Sequence, residues 1–419
     1  MQVTADNLRP GPAMESSSCN NDNIPFFDDA DYELNDHYKH PEEAVDTPKT
    51  VFVEVLVVVD KYLVEKIGKM YVKGRYNPTH TMDRSNSELI EETKLYVRKF
   101  MSAVDIKFQG QFSNPRIKIS ICSIVADPEW DLPFGHKNKY SSWTKEDKDT
   151  LDLWDTRTNM YIFFKTMLDY AQLKEWTVYQ NKKGNKFSPC SYDVILALSG
   201  REKILDLHTS RGQTASGKFG LSGLYGACSP HEHSTMVVHD LGTFNGVKTA
   251  VHHFGHELGA SHDGELGFPS SSCCRGDGYI MSDAIFTDLN VKNIFKNLNH
   301  ASSWSPCSKE AINKFVSKAE CLFNQPQHEH YPLFSWHELS ENINGMMFAY
   351  SQCPGNPYIG QGIHCTDHNP CQFLQCQRQD KCVVEERTYA MEGTYCTDDM
   401  KKRCYKGECY EGKDFAVTR

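Results

Sequence analysis

Residues 51–60, VFVEVLVVVD, form a near-continuous β-branched run, the pattern of a strand buried on both faces rather than one with a wet side. A helical stretch follows at about 86–102 (SNSELIEETKLYVRKFM). In 116-RIKISICSI-124, Ile117, Ile119 and Ile121 alternate as on a half-buried strand. Residues from about 149 to 172 (DTLDLWDTRTNMYIFFKTMLDYAQ) read as a long helix, and 192-YDVILALSG-200 as a third strand ending at Gly200. Strands alternating with helices predict an α/β (α+β) domain whose sheet is mixed but mostly parallel. The segment 217-GKFGLSGLYGAC-228 is Gly-rich and extended, more like an edge strand than a core one. Beyond Cys321 the pattern breaks into short pieces punctuated by cysteines, which sets a boundary near 325. The chain therefore divides into an acidic lead (1–50), a main domain (51–325) and a small Cys-rich domain (326–419).

Charge and cysteine usage narrow the class. The formal net charge is -10. Residues 1–50 carry eleven Asp and Glu against Arg9, Lys39 and Lys49, a net of -8, which leaves -2 for everything after them. The body is near neutral and offers no basic face for nucleic acid. No apolar run reaches the 18 or so residues of a membrane span. Sixteen cysteines, eight of them in residues 326–419 with no C-x-x-C pair among those eight, read as a disulfide framework in an oxidising, extracellular compartment rather than as zinc ribbons. The opening MQVTADNLRPGPAMESSS has no charged start followed by an apolar stretch, so no signal peptide is visible and the natural N-terminus is expected to lie upstream.

The candidate chemistry lies in 251-VHHFGHELGASHDGE-265. His252 and His256, four apart on a helix, share one face, about 40° from each other. Gly259 allows a left-handed break that can bring His262 back to the same point. Three neutral imidazoles with one open position is the arrangement of a catalytic zinc site. Downstream, 278-GYIMS-282 places Met281 in a tight turn, like the methionine turn that floors the metal in proteins with the long zinc signature.

Through these stretches, together with VEVLVVVDK, SPCSKEAINKF and CLFN, residues 51–325 resemble a reprolysin (adamalysin-type) metzincin catalytic domain, closest in style to secreted salivary metalloproteases of ticks. The last 94 residues, through 371-CQFLQC-376 and 392-EGTYCTDDMKKRCYKGEC-409, resemble the Cys-rich module of disintegrin-and-thrombospondin-motif proteases. The resemblance implies one zinc ion on His252, His256 and His262. It also implies a calcium site on Glu54, Asp193, the backbone carbonyl of Cys321 and Asn324, all oxygen donors of the kind calcium takes. Cys228 and Cys321 are the implied disulfide.

One position departs from that family. The residue after the first zinc histidine is there a glutamate, which takes the proton from metal-bound water and passes it to the leaving amine. Here it is His253. Lying about 100° around the helix from His252, it cannot replace a ligand, and Glu257, one residue after His256, does not restore the pattern. Two readings follow. In the first, the chain is a secreted zinc metalloendopeptidase acting on extracellular proteins, slowed by loss of its base. In the second, it is a pseudoprotease that binds host proteins or integrins. Either way, an extended peptide is expected to add to the Gly-rich strand through main-chain hydrogen bonds. Arg275-Gly276-Asp277 spells the integrin tripeptide, but its place between Cys274 and the methionine turn reads as structural before adhesive. Residues 51–325 hold seven cysteines (122, 190, 228, 273, 274, 307 and 321). Cys19 in the lead is therefore read first as the missing disulfide partner, and second as a thiolate that caps zinc.

Overall fold

The structure is a computed structural model. It describes residues 48–72, 85–126, 192–200, 220–228, 234–282, 300–326, 331–342, 389–397 and 401–411, with shorter pieces at 32–34, 75–76, 128, 157–159, 203–205, 217–218, 352, 369–372, 374–378, 381–384 and 399.

In chain order the strands of the main region are β1 (Tyr32–Leu34), β2 (Thr50–Val59), the short pair β3 (Tyr71–Val72) and β4 (Arg75–Tyr76), β5 (Arg116–Ala126), β6 (Arg157–Asn159), β7 (Val194–Ser199), β8 (Lys203–Leu205), β9 (Gly217–Lys218), β10 (Gly220–Leu224) and β11 (Thr235–His239). The helices that matter for the site are α1 (Lys61–Met70), α2 (Asn86–Phe108), α3 (Val247–Glu257), α4 (Pro306–Val316) and α5 (Trp336–Asn342).

The main sheet has the order β1-β10-β11-β7-β2-β5. Strands β5, β2, β7 and β11 run parallel, β10 is antiparallel to β11, and β1 is parallel to β10. Val51, Val53, Val55, Val57 and Val59 of β2 are all fully buried. Leu56 and Val58 are buried too, so both faces of β2 are covered, as the unbroken apolar run requires. Helix α2 starts at a capping box. The Ser85 hydroxyl accepts from the Glu88 N–H, and the Glu88 carboxylate accepts from the Ser85 N–H, which satisfies two donors that a helix start otherwise leaves orphaned. It runs past the expected end at about 102 to Phe108, because Val104, Ile106 and Phe108 continue its apolar face into the core.

Three expectations change. The helix expected over about 149–172 falls mostly outside the described residues, and the part that is described, Arg157–Asn159, is a strand paired in parallel with β8. Tertiary pairing has overridden a helix-like local pattern there. The Gly-rich segment divides into β9 and β10, and β10 is not the outermost strand. Residues 32–34 of the acidic lead lie along it, with Tyr32 opposite Ser222, Glu33 opposite Gly223 and Leu34 opposite Leu224. An open strand edge is a template for exactly such pairing, since its N–H and C=O groups seek partners. The lead is thus extended at this point, where the sequence offered no periodic pattern.

The apolar core also runs through residue 325. Trp336 and Leu339 of α5, and Met391, belong to the same buried cluster as the sheet and α2. Polar contacts reinforce this join. The Ser102 hydroxyl accepts from the Phe334 N–H at 2.9 Å, and Lys107 forms a buried ion pair with Glu392. A small second cluster, containing Cys371, Leu374, Ala390 and Cys404, is stitched by the Cys371–Cys404 and Cys396–Cys409 disulfides. Cys273 is bonded to Cys307. Cys122 and Cys274 are disulfide-bonded as well, and among the described residues no cysteine is free. Cys19 and Cys190 lie outside the described residues.

Candidate metal centre

Helix α3 carries the first two histidines, and its start is fixed from below. The buried Asp240 carboxylate, at the end of β11, accepts hydrogen bonds from the Tyr96 hydroxyl (2.6 Å), the Gly242 N–H (2.7 Å) and the Gly246 N–H (2.9 Å). Burial pushes this carboxyl up to about 6 against those bonds. The helix ends at Leu258, and Gly259 turns left-handed at φ +94°, a backbone state open to glycine at little steric cost. His262 then returns to the face occupied by His252 and His256.

The three Nε2 atoms converge. His252 and His256 are 3.0 Å apart there, and His252 and His262 are 3.3 Å apart. Each opposite ring nitrogen is occupied: His252 Nδ1 meets the Ile280 carbonyl at 2.7 Å, His256 Nδ1 meets the Ala260 carbonyl at 2.7 Å, and His262 Nδ1 lies 3.8 Å from Glu265. A carbonyl can only accept, so Nδ1 of His252 and His256 carries the proton and Nε2 presents a lone pair. Lone pairs pointed at one another about 3 Å apart repel, and only a cation between them reverses the sign. Bonds of about 2.0–2.1 Å to a tetrahedral ion place nitrogens about 3.3 Å from one another. The donor set and its spacing fit zinc, with outer hydrogen bonds of the sort that orient metal-bound imidazoles.

Beneath the triad, Met281 is fully buried. A Cβ on Gly255 would sit 2.4 Å from Met281 Sδ and 2.8 Å from the Trp304 ring. The glycine costs the helix about 1 kcal/mol relative to alanine, and the close approach of the methionine is the physical reason for it. Asp263, next to His262, is fully buried and accepts from the Ser305 and Ser308 hydroxyls at 2.6 and 3.2 Å. Burial pushes its carboxyl up to about 6, and its Oδ2 has no hydrogen-bond partner among the described residues.

His253 faces elsewhere. It is 1% exposed, and its Nδ1 lies 3.0 Å from the Ser222 hydroxyl of β10. Its Nε2 rests against Gly220, where a Cβ would come within 2.2 Å. Both nitrogens are turned to the strand. Glu257 is also tied to β10, accepting from the Gly223 N–H at 3.2 Å, and burial raises its carboxyl well above the usual range. Sequence reasoning singled out neither Gly220 nor Ser222. They lie 33 and 31 residues before His253, so no local spacing announces them.

The four residues of the implied calcium site lie near one another around Glu54, midway along β2. The Glu54 N–H donates to Asp193 Oδ2 (2.9 Å), Asn324 Nδ2 donates to Glu54 Oε2 (2.8 Å), and Cys321 is bonded to Cys228, whose N–H donates to the Asp193 carbonyl (3.0 Å). Burial, with the Glu54 charge adding to it, pushes Asp193 up to about 7, and burial raises Glu54. Arg275, by contrast, is buried at 7% exposure in a one-turn 3-10 segment. The tripeptide therefore does not present its guanidinium to a partner.

The three histidine nitrogens converge on one point beside the buried Met281, a set that could hold a metal ion. No family model matches the chain. A protein of Bombyx mori described as "A disintegrin and metalloproteinase with thrombospondin motifs like" is 25% identical over 392 residues, covering 88% of this chain and 46% of its own length. Human "A disintegrin and metalloproteinase with thrombospondin motifs 16" is 29% identical over 200 residues, 46% of this chain and 14% of that protein. "Venom metalloproteinase 2" of Eulophus pennicornis is 28% identical over 203 residues, 48% of this chain and 42% of its own. The chain thus spans less than half the length of these relatives. A solved archaemetzincin from Methanopyrus kandleri covers 63% of the chain at 12% identity and a TM-score of 0.29, too loose to argue from. The three relatives are named as metalloproteinases, and the histidine triad fits the kind of metal site that name implies.

Proposed function

We propose that the chain is a secreted zinc metalloendopeptidase of extracellular proteins whose hydrolysis is slow because His253 stands where the base belongs. The observation that carries this is the pairing of three convergent Nε2 lone pairs with a residue 253 that faces β10. Zinc on His252, His256 and His262 would polarise a peptide carbonyl and acidify bound water. Met281 supports the ligands from beneath, and the Ile280 and Ala260 carbonyls hold the rings in the ligating tautomer. Strand β10 binds an extended peptide through its main chain, in the slot that residues 32–34 fill in this structure, so a peptide must displace the lead. Loss of a positioned base typically costs a factor of about 10² to 10⁴ in rate. Glu54, Asp193, Asn324 and the Cys321 carbonyl would hold calcium, tying β2 to the segment after α4. The disulfide framework supports secretion, and one relative is named a venom metalloproteinase. Among the described residues no helix is long and apolar enough to cross a membrane.

The second reading, a binding protein that does not cut, is favoured by the 1% exposure of His253. The test compares wild type, His253→Glu and His256→Ala for bound zinc and for cleavage of a denatured generic substrate. The proposal expects zinc in the first two, chelator-sensitive cleavage in both, wild type slower by about 10² to 10⁴, and neither property in His256→Ala. A zinc-loaded but silent wild type hands the case to the binding reading. A wild type without zinc removes both.

A further inference from the structure

We infer that Lys107, held in place by Glu392 of the C-terminal region, is a positioning residue that orients the zinc ligand His252 through the segment 302–304. The inference rests on the zinc reading above, because a bound ion is what gives the orientation of this ring its consequence. His252 Nδ1 meets the Ile280 carbonyl at 2.7 Å. The Ile280 N–H donates to the Ser303 carbonyl at 3.0 Å, so the residue that aims the imidazole hangs on residue 303. Both neighbours of Ser303 are tied to Lys107. The Lys107 ammonium donates to the Ser302 hydroxyl at 3.1 Å, and the Trp304 indole N–H donates to the Lys107 carbonyl at 3.0 Å. Trp304 also lies beside Met281, since a Cβ on Gly255 would meet both side chains.

Lys107, Ile280, Ser302, Trp304 and Glu392 are each at most 3% exposed, so water does not compete for these bonds. An ammonium buried so deeply needs a carboxylate against it. Glu392 supplies one in a direct ion pair. Glu392 is in turn fixed by the Lys406 N–H at 3.1 and 2.9 Å, and Lys406 Nζ donates to the Gln109 carbonyl just beyond α2. A contiguous set of hydrogen bonds therefore joins the C-terminal region to a metal ligand. In a close-packed interior, a shift at one end is transmitted rather than absorbed.

The experiment uses the full chain. Each variant is measured for zinc affinity by competition with a chromogenic chelator, for amide hydrogen exchange at Ile280 without zinc, and for stability to urea. Ser302→Ala removes one clamp and leaves the Lys107–Glu392 pair intact. It is expected to weaken zinc binding about tenfold, the lower end for loss of a group that orients a ligand from outside, and to speed exchange at Ile280. Lys107→Met combined with Glu392→Gln is expected to recover stability but keep the weakened zinc binding, because no ammonium then reaches Ser302. Trp336→Phe loses a bond to the Cys404 carbonyl across the same join and is expected to lower stability with zinc affinity unchanged. Zinc affinity that simply follows stability across these variants overturns the inference, as does a Ser302→Ala chain that binds zinc and exchanges Ile280 like wild type. A wild type without zinc sinks the metallopeptidase reading, while faster Ile280 exchange in Ser302→Ala still upholds the clamp, so the two failures are distinguishable.

Discussion

Neutralising Glu392 should unfold the protein far more readily than a surface substitution would, because of what that carboxylate holds in place. Lys107 of α2 and Glu392 form an ion pair in which both side chains are at most 1% exposed. Lys107 also donates to the Ser302 hydroxyl at 3.1 Å and lies 4.4 Å from the centre of the Tyr389 ring. Glu392 accepts twice from the Lys406 N–H, at 3.1 and 2.9 Å, and its charge keeps the Lys406 ammonium from falling further under the pull of burial. Glu392→Gln keeps an acceptor for that N–H but leaves two ammonium groups facing no carboxylate. Breaking a buried pair from one side costs about 3–5 kcal/mol, and the surviving serine and ring contacts argue for the lower end, about 3 kcal/mol. Lys107→Met should cost less, since Glu392 retains the N–H bonds and Lys406. Lys107→Met combined with Glu392→Gln should return to within about 1 kcal/mol of wild type, a coupling of about 2 kcal/mol or more. Urea unfolding followed by tryptophan fluorescence reads this directly. Trp336 is a suitable reporter, because its indole N–H donates to the Cys404 carbonyl across the same join at 2.9 Å. The reasoning is refuted if Glu392→Gln costs under about 1 kcal/mol, or if the double variant loses the sum of the two single losses. Either result would mean that water reaches the pair and screens it.

Gly255→Ala should lower stability by about 1–2 kcal/mol despite its better helix propensity, since overpacking against Met281 and Trp304 outweighs a gain of about 1 kcal/mol; thermal denaturation and zinc titration check it, and a stabilised variant refutes the close-approach argument. A strong chelator should lower the melting temperature of wild type, and added zinc should restore it. At a free zinc concentration of about 100 times Kd the stabilisation is about 2.7 kcal/mol, and His256→Ala should show neither response. Asp240→Asn should change the pH dependence of stability. The Asp240 carboxyl is held at about 6 in the fold, above its ordinary value of about 3.9, so between those values the folded chain binds more protons than the unfolded one. Stability from this group therefore falls as pH rises from about 4 to 6, by about 3 kcal/mol at most, and melting curves of the asparagine variant should lack that part of the slope. Calcium should raise the melting temperature of wild type and not of Asp193→Asn; an equal shift in both removes the proposed calcium site.

The strands of the sheet centre were legible because burial on both faces leaves no room for polar residues, and 51–60 and 192–200 contain few. The α2 start was placed at about 86 without its Ser85–Glu88 capping box being read, whereas its end depended on core contacts that local sequence does not display. The segment around 157–159 misled because local spacing of apolar residues does not by itself distinguish a helix from a strand. What decides is a partner, β8, more than 40 residues on. The lead misled for the opposite reason. It carries no pattern of its own, and its strand is induced by the open edge of β10.

The histidine triad was legible because helix geometry alone brings positions 252 and 256 together, and one glycine is enough to return 262. The fate of residue 253 was not, and the reason bears on how its replacement should be read. A glutamate lost in isolation would leave a strand shaped for a glutamate. Here β10 has no Cβ at 220, where one would collide with the imidazole, and a hydroxyl at 222 within hydrogen-bond distance of the ring. Three positions on two elements agree with one another, and such consistency is what a sequence settled in one arrangement shows. His253→Glu consequently restores a carboxylate but not its surroundings: Ser222 would still donate to it, and a carboxylate that accepts a hydrogen bond is a weaker base than a free one. Activity regained in the single variant is therefore expected to increase further in His253→Glu with Ser222→Ala. If the double variant is no faster, the strand does not restrain the base, and the three positions are neighbours without being a unit.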